Sequence, residues 1–119
     1  EKYKNRESAD YKKDAKLIAV FQPHLYSRTK LLFEDFSNSF AYADEVLILP
    51  IYAAREKYDS SISSEMLVRE IQNNHPEKKC IYIKDFETLR DYISIHSHID
   101  NIYITLGAGD IDGVYGVLK

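Results

Sequence analysis

The chain of 119 residues has one cysteine, no tryptophan, four glycines and three prolines. A single Cys80 cannot form an intramolecular disulfide, and four histidines beside it supply no spaced metal-ligand set. So little glycine and proline excludes collagen-like and linker-like chains. No uncharged apolar run nears the roughly 18 residues of a membrane helix, since Leu17 to Phe21 and Val46 to Ile51 are strand-length. Neither sign of charge dominates: Lys+Arg 16 against Asp+Glu 19 gives −3 and a pI near 5.8. There is thus no basic excess to draw the chain to nucleic acid or an anionic membrane. What is present, 45% hydrophobic and 29% charged residues over one domain's length, describes a chain that folds around a single core. The expectation is a soluble, cytoplasmic domain without metal.

The first sixteen residues carry ten charges and no apolar segment resembling a secretory signal. Residues 1–16 are expected to be a polar helix end or linker, left by a cut inside a longer protein, with the folded domain over 17–119.

From there the hydrophobic period alternates between two kinds. Leu17 to Phe21, Val46 to Ile51, Cys80 to Ile83 and Ile102 to Leu106 are continuous apolar runs, the pattern of strands buried on both faces. Pro50 should end pairing in the second run. Between the runs, Leu32, Phe36 and Phe40 recur every fourth residue, with Phe33 and Ala43 beside them, and Ser27 is the expected N-cap of that helix. Leu67, Val68 and Ile71 mark a second helix, ended by Asn73-Asn74-His75-Pro76, and Phe86, Leu89 and Ile93 mark a third, capped by Asp85. Val114, Val117 and Leu118 suggest a weak last helix. Strands alternating with helices predict an α/β domain in three layers: a mostly parallel sheet of four or five strands, helices on both faces, right-handed crossovers.

In such sheets ligands bind at the carboxyl ends of the strands. Three segments should therefore share one edge: Gln22-Pro23-His24, Tyr52-Ala53-Ala54-Arg55-Glu56, and Gly107-Ala108-Gly109-Asp110. At the first, free N–H groups of a helix start and the Arg28 guanidinium suit a carboxylate or other anion. The plainer reading is a solvated Arg28 and a His24 bonded locally. Gly107-Ala108-Gly109 would let backbone approach a phosphate, but it lacks the third glycine of a dinucleotide fingerprint, so close packing of the turn is the preferred reading. Asp110 and Asp112 fit either metal binding or capping, Arg55 and Glu56 either a site or a solvated pair, and His75, His96 and His98 read as surface residues.

Taken together, Val20-Phe21-Gln22-Pro23-His24-x-Tyr26-Ser27-Arg28-Thr29, Ala43-Asp44-Glu45-Val46, Tyr52-x-Ala54-x-Glu56 and Gly107-Ala108-Gly109-Asp110-Ile111 resemble the C-terminal domain of the Mur ligases, over residues 17–113. The resemblance implies a Rossmann-like domain of an ATP-dependent enzyme of cytoplasmic peptidoglycan synthesis, serving cell-wall biogenesis, cell shape and division. The implied substrates are L-alanine and UDP-N-acetylmuramate. ATP would phosphorylate the lactyl carboxylate, and the alanine amine would attack the acyl phosphate through a tetrahedral intermediate. The family's other two domains hold the UDP-sugar, the phosphate loop and Mg2+. This chain has no Gly-x-x-x-x-Gly-Lys-Ser/Thr motif, so ATP and Mg2+ should be bound mainly by those domains and the chain alone should be inactive.

By position, the resemblance makes Arg28 a partner of the amino acid's carboxylate and His24 an orienting group. Glu56 is a further substrate-side residue, and Gly107, Ala108 and Gly109 are a weaker nucleotide-side turn. Relatives with a basic residue at Leu25 and Pro-Ala-Gly-Glu in place of Ala53-Ala54-Arg55-Glu56 mark where this chain departs. The family's topology also implies that the last strand inserts beside the first and away from an outer edge. Two other readings stand beside this one: a stand-alone flavodoxin-like binding module without catalysis, and a ligase of the same superfamily taking another amino acid. A phosphorelay receiver is disfavoured, because no acidic residues follow the first strand.

Overall fold

The computed structural model describes residues 15–96 and 101–107. Elements follow in the order β1 (Leu17–Gln22), α1 (Tyr26–Leu31), α2 (Phe33–Ser37), β2 (Glu45–Ile48), α3 (Ser64–Asn74), β3 (Lys79–Tyr82), α4 (Phe86–Ile95) and β4 (Ile102–Gly107). The four strands form one parallel sheet in the order β3-β2-β1-β4. β4 lies beside β1 as the resemblance implies, with register from Leu17 opposite Ile102 to Gln22 opposite Gly107. It is nevertheless the outer strand of the described sheet, so the expected placement away from an edge is not met there.

Because side chains alternate across a strand, the continuous apolar runs feed two cores. Ile18, Val20, Leu47 and Leu49 point to one face and pack with Ile83 and with Leu89 and Ile93 of α4. Ala19, Phe21, Val46 and Ile48 point to the other and pack with Phe40, Ala43, and Leu67 and Ile71 of α3. This is the three-layer α/β arrangement. Cys80 belongs to the second core, and burial pushes its thiol up to about 12, so it behaves as a small apolar side chain.

The two later helices begin where the sequence indicates. Ser63 Oγ accepts the Met66 N–H at 3.2 Å, and Asp85 Oδ1 accepts the Thr88 N–H at 2.7 Å. The first helix differs from expectation. The residue at its N-cap is Leu25, with no side-chain cap of its own, and Ser27 lies inside the first turn. The predicted long helix is also broken in two at Leu32, where ψ opens to 19°. Thr29 Oγ1 and Ser37 Oγ donate back to the carbonyls of Leu25 and Glu34, both at 2.7 Å, the kind of competing bond that bends helices. Phe40 and Ala43 reach the core from beyond the end of α2.

β2 ends at Ile48, three residues before the expected Ile51. Pro50 interrupts the ladder, and pairing resumes as one parallel bridge between His24 and Tyr52. At the opposite end of the sheet, Glu45 is buried, accepting from Lys16 Nζ at 3.2 Å and from the Tyr92 hydroxyl at 2.9 Å. Among the described residues no helix is long and apolar enough to cross a membrane. Residues 1–14, Ala108, Gly109, Asp110, Asp112, His98 and the expected last helix lie outside the described residues.

Candidate functional site

The carboxyl end of β1 runs into a segment that the backbone holds tightly. Pro23 has no N–H to give, but its carbonyl accepts the Tyr52 N–H at 2.8 Å, and the Leu25 N–H donates to the Tyr52 carbonyl at 2.8 Å. The His24 ring stacks on the Tyr52 ring at 5.7 Å, with planes 24° apart. These contacts fix where His24 points.

The next residue turns the chain. Leu25 has φ 71° and ψ 136°, a conformation that costs a branched residue about 1–3 kcal/mol. Its carbonyl accepts from both the N–H and the hydroxyl of Thr29, which is fully buried, so α1 starts abruptly one residue later.

The cap that Leu25 lacks comes from the neighbouring loop. Glu56 Oε1 accepts the Ser27 N–H at 3.2 Å, and Oε2 accepts the Ser27 hydroxyl. The Ser27 hydroxyl bond, with help from backbone N–H groups of Ser27 and Tyr26, holds the Glu56 carboxyl below its ordinary value. Three residues further, Asp59 accepts from the hydroxyl and N–H of Ser61 and pairs with Lys30 of α1 at 3.0 Å, and its carboxyl is lowered to about 2. Tyr58 meets Tyr26 edge-on at 5.7 Å. The loop after β2 thus grips the first turns of α1 at three points.

Between β1, β4 and this helix lies a cleft of about 310 Å³, lined by Phe21, Gln22, His24, Arg28, Phe36 and Gly107. The size is at the low end of small-molecule sites, which run from roughly 300 to 1,000 Å³. Phe21 and Phe36 meet edge to face at 5.1 Å and form its apolar wall. Gly107, at φ 133°, brings β4 so close to β1 that a Cβ there would sit 2.5 Å from the Gln22 carbonyl oxygen. Close packing therefore accounts for this first glycine of the turn.

Among the described residues no carboxylate lines the cleft. Its permanent cation among the described residues is the exposed Arg28 guanidinium, which no ion pair or hydrogen bond engages there. Such a site favours a small anion with an apolar part. The structure brings His24, Arg28 and Gly107 together here, while Glu56 is not among the described lining residues and has both oxygens on Ser27. Sequence reasoning quoted Gln22 only as part of a motif, yet it is in the cleft wall and 7% exposed. Among the described residues no group of three His, Cys, Asp or Glu side chains is placed to hold a metal ion.

Over about 80% of its length the chain matches ligases at 41–46% identity, which places it with the Mur ligases as a domain of one. The particular relatives are ligases named UDP-N-acetylmuramate--L-alanine ligase. The protein of that name from Alkaliphilus metalliredigens is 46% identical over 96 residues, covering 81% of this chain and 20% of the relative. Those of Caldanaerobacter subterraneus subsp. tengcongensis and Desulforapulum autotrophicum are 45% identical over 96 residues and 43% over 98. This chain spans about a fifth of the length of these curated relatives. No family model matches the chain.

Proposed function

We propose that this chain is the amino-acid-binding domain of an ATP-dependent ligase that adds L-alanine to UDP-N-acetylmuramate in cytoplasmic peptidoglycan synthesis. The observation that carries the reading is the Arg28 guanidinium, unpaired among the described residues, over a small cleft walled by Phe21 and Phe36. A guanidinium can hold the alanine carboxylate through two parallel charge-assisted hydrogen bonds. The methyl group then meets the aromatic wall, and His24, fixed by its stack on Tyr52, orients the amino acid from the sheet side.

Held this way, the amino acid reaches its reaction partner with its position already fixed, which converts a bimolecular encounter into an oriented one. Glu56 contributes through α1: by capping the first turn it fixes where Arg28 stands. The carboxyl group to be joined, ATP and Mg2+ are supplied by the remainder of the parent enzyme, since this chain lacks a phosphate loop.

The test is a pair of assays with ATP, Mg2+, UDP-N-acetylmuramate and L-alanine. The full-length parent should release phosphate and form the alanyl product, and this chain alone should stay at background. Product formation by the chain alone, or none by the parent, would overturn the reading.

A further inference from the structure

Side chains alternate along β1, and Ile18 and Val20 pack on the α4 face of the sheet, so the amide of Gln22, two residues further, points to that face as well. There it borders a second pocket of about 210 Å³, with Leu49, Pro50, Asp85 and Phe86. The Arg28 cleft, walled by Phe21 and Phe36, lies across the sheet. The polar side chains of the second pocket present acceptors to it. Gln22 Oε1 is buried with no donor, in a residue only 7% exposed. Its Nε2 donates to the Pro50 carbonyl at 3.4 Å, a long bond that sets which way the amide faces, because the reversed amide would press two carbonyl oxygens together. Asp85 gives Oδ1 to the Thr88 N–H, and no ion pair closes on its carboxylate among the described residues. Buried acceptors without donors are few in a complete assembly.

These features describe the group that completes the pocket. It donates to the neutral Gln22 oxygen and to the Asp85 carboxylate at once, carries one positive charge, and lies against Leu49, Pro50 and the Phe86 ring. A guanidinium is planar and weakly hydrated, has forked N–H donors and rests on aromatic rings, whereas an ammonium is a strongly hydrated point charge. The pocket and the amino-acid cleft share the carboxyl edge of the sheet, and the chain's match covers only about a fifth of the relatives' length. The rest of such an enzyme must bring the acyl group to this edge. Resting on the functional reading above, we propose that the pocket receives an arginine side chain from the remainder of the parent ligase. On entry, the Gln22 amide swings off its long bond to Pro50, Oε1 accepts one guanidinium N–H and Asp85 accepts another. The contact holds this domain with its cleft turned toward the reaction partner.

The experiment follows the Gln22 side-chain amide resonance in this chain and in the full-length parent. In this chain, millimolar methylguanidinium should move the resonance, and urea, which has planar donors without charge, should leave it still. Asp85→Asn keeps the cap acceptor and drops the charge, and should weaken the methylguanidinium response about tenfold. In the parent saturated with UDP-N-acetylmuramate and a non-hydrolysable ATP analogue, the resonance should already stand at the shifted position and ignore methylguanidinium, because the enzyme's own arginine holds the pocket. Gln22→Met keeps the length and removes the acceptor. It should leave the melting temperature of this chain equal or higher and lower the parent's kcat/KM for all three substrates together, by about tenfold.

No response to methylguanidinium, an equal response to urea, or a response untouched by Asp85→Asn would each overturn the proposal. So would a saturated parent whose amide still answers methylguanidinium, a Gln22→Met chain that melts lower, or a kinetic loss confined to L-alanine. If Arg90→Ala moved the resonance in this chain, the occupant would be the arginine of α4 and the proposal would fall. A parent that forms no alanyl product while both amide experiments come out as expected overturns the functional reading alone.

Discussion

The carboxylate of Glu56 takes the place at the start of α1 that Ser27 was expected to fill, and Ser27 becomes its donor through both N–H and hydroxyl. The cap is therefore supplied by a loop 29 residues away in sequence, and it ties the loop after β2 to the helix that carries Arg28.

Glu56→Ala should lower the melting temperature of the parent enzyme's domain and also raise the KM for L-alanine, because α1 loses its cap and Arg28 its fixed stance. Ser27→Ala removes one of the two bonds and should show the same changes to a smaller degree. Thermal melts with substrate kinetics check this. A Glu56→Ala enzyme with a normal melting temperature and a raised alanine KM would instead make Glu56 a direct substrate contact.

Acid should loosen the same joint. The carboxyls of Glu56, Asp59 and Asp85 all lie below their ordinary values, held there chiefly by hydrogen bonds from Ser27, Ser61 and Thr88. A depressed carboxyl contributes stability that is fully present above its unfolded value and lost as pH falls through its folded value. Stability should therefore be insensitive to these groups above about pH 5 and decline toward pH 2, where Asp59 titrates. Urea melts across that window, repeated for Glu56→Gln and Asp85→Asn, should show a flatter acid limb in each variant.

Ala54 sits at φ 54° in the turn closed by the Glu56 N–H on the Ala53 carbonyl at 2.9 Å. Glycine adopts that conformation freely, so Ala54→Gly should stabilise the domain by about 0.5–1 kcal/mol or at least leave it unharmed, despite the added freedom of the unfolded chain. A loss of stability measured by chemical denaturation would contradict the turn geometry.

Gly107 has no such latitude. With φ at 133° and a Cβ 2.5 Å from the Gln22 carbonyl oxygen, Gly107→Ala should cost about 2–4 kcal/mol and disturb the end of the β1–β4 ladder. Hydrogen exchange at the Gln22 and Leu106 amides, faster in the variant, would report it.

The centre of the sheet was legible in the sequence because β1 and β2 lie in apolar runs, and a strand buried on both faces needs that whatever surrounds it. Asp85 and its helix were legible because the cap is local: acceptor and donor are three residues apart. The start of α1 was not, since its cap comes from Glu56, and no local pattern marks a bond that only the folded chain creates. The break at Leu32 was hidden in the same way, since Leu32, Phe36 and Phe40 keep helical spacing across it while Thr29 and Ser37 bend the backbone. At the site, Arg28 and His24 stood out as charge and imidazole after a strand.

The central claim is that Arg28 holds the carboxylate of the amino acid. The direct measurement is steady-state kinetics of the full-length parent with Arg28→Ala and Arg28→Lys. Arg28→Ala should weaken use of L-alanine by about 2–4 kcal/mol in kcat/KM, with ATP and UDP-N-acetylmuramate little affected, and lysine should restore only part because it keeps charge and loses the fork. Folding should be almost unchanged, since the guanidinium is exposed. Unaltered kcat and KM for L-alanine in Arg28→Ala, or a domain that no longer folds, would contradict the carboxylate clamp.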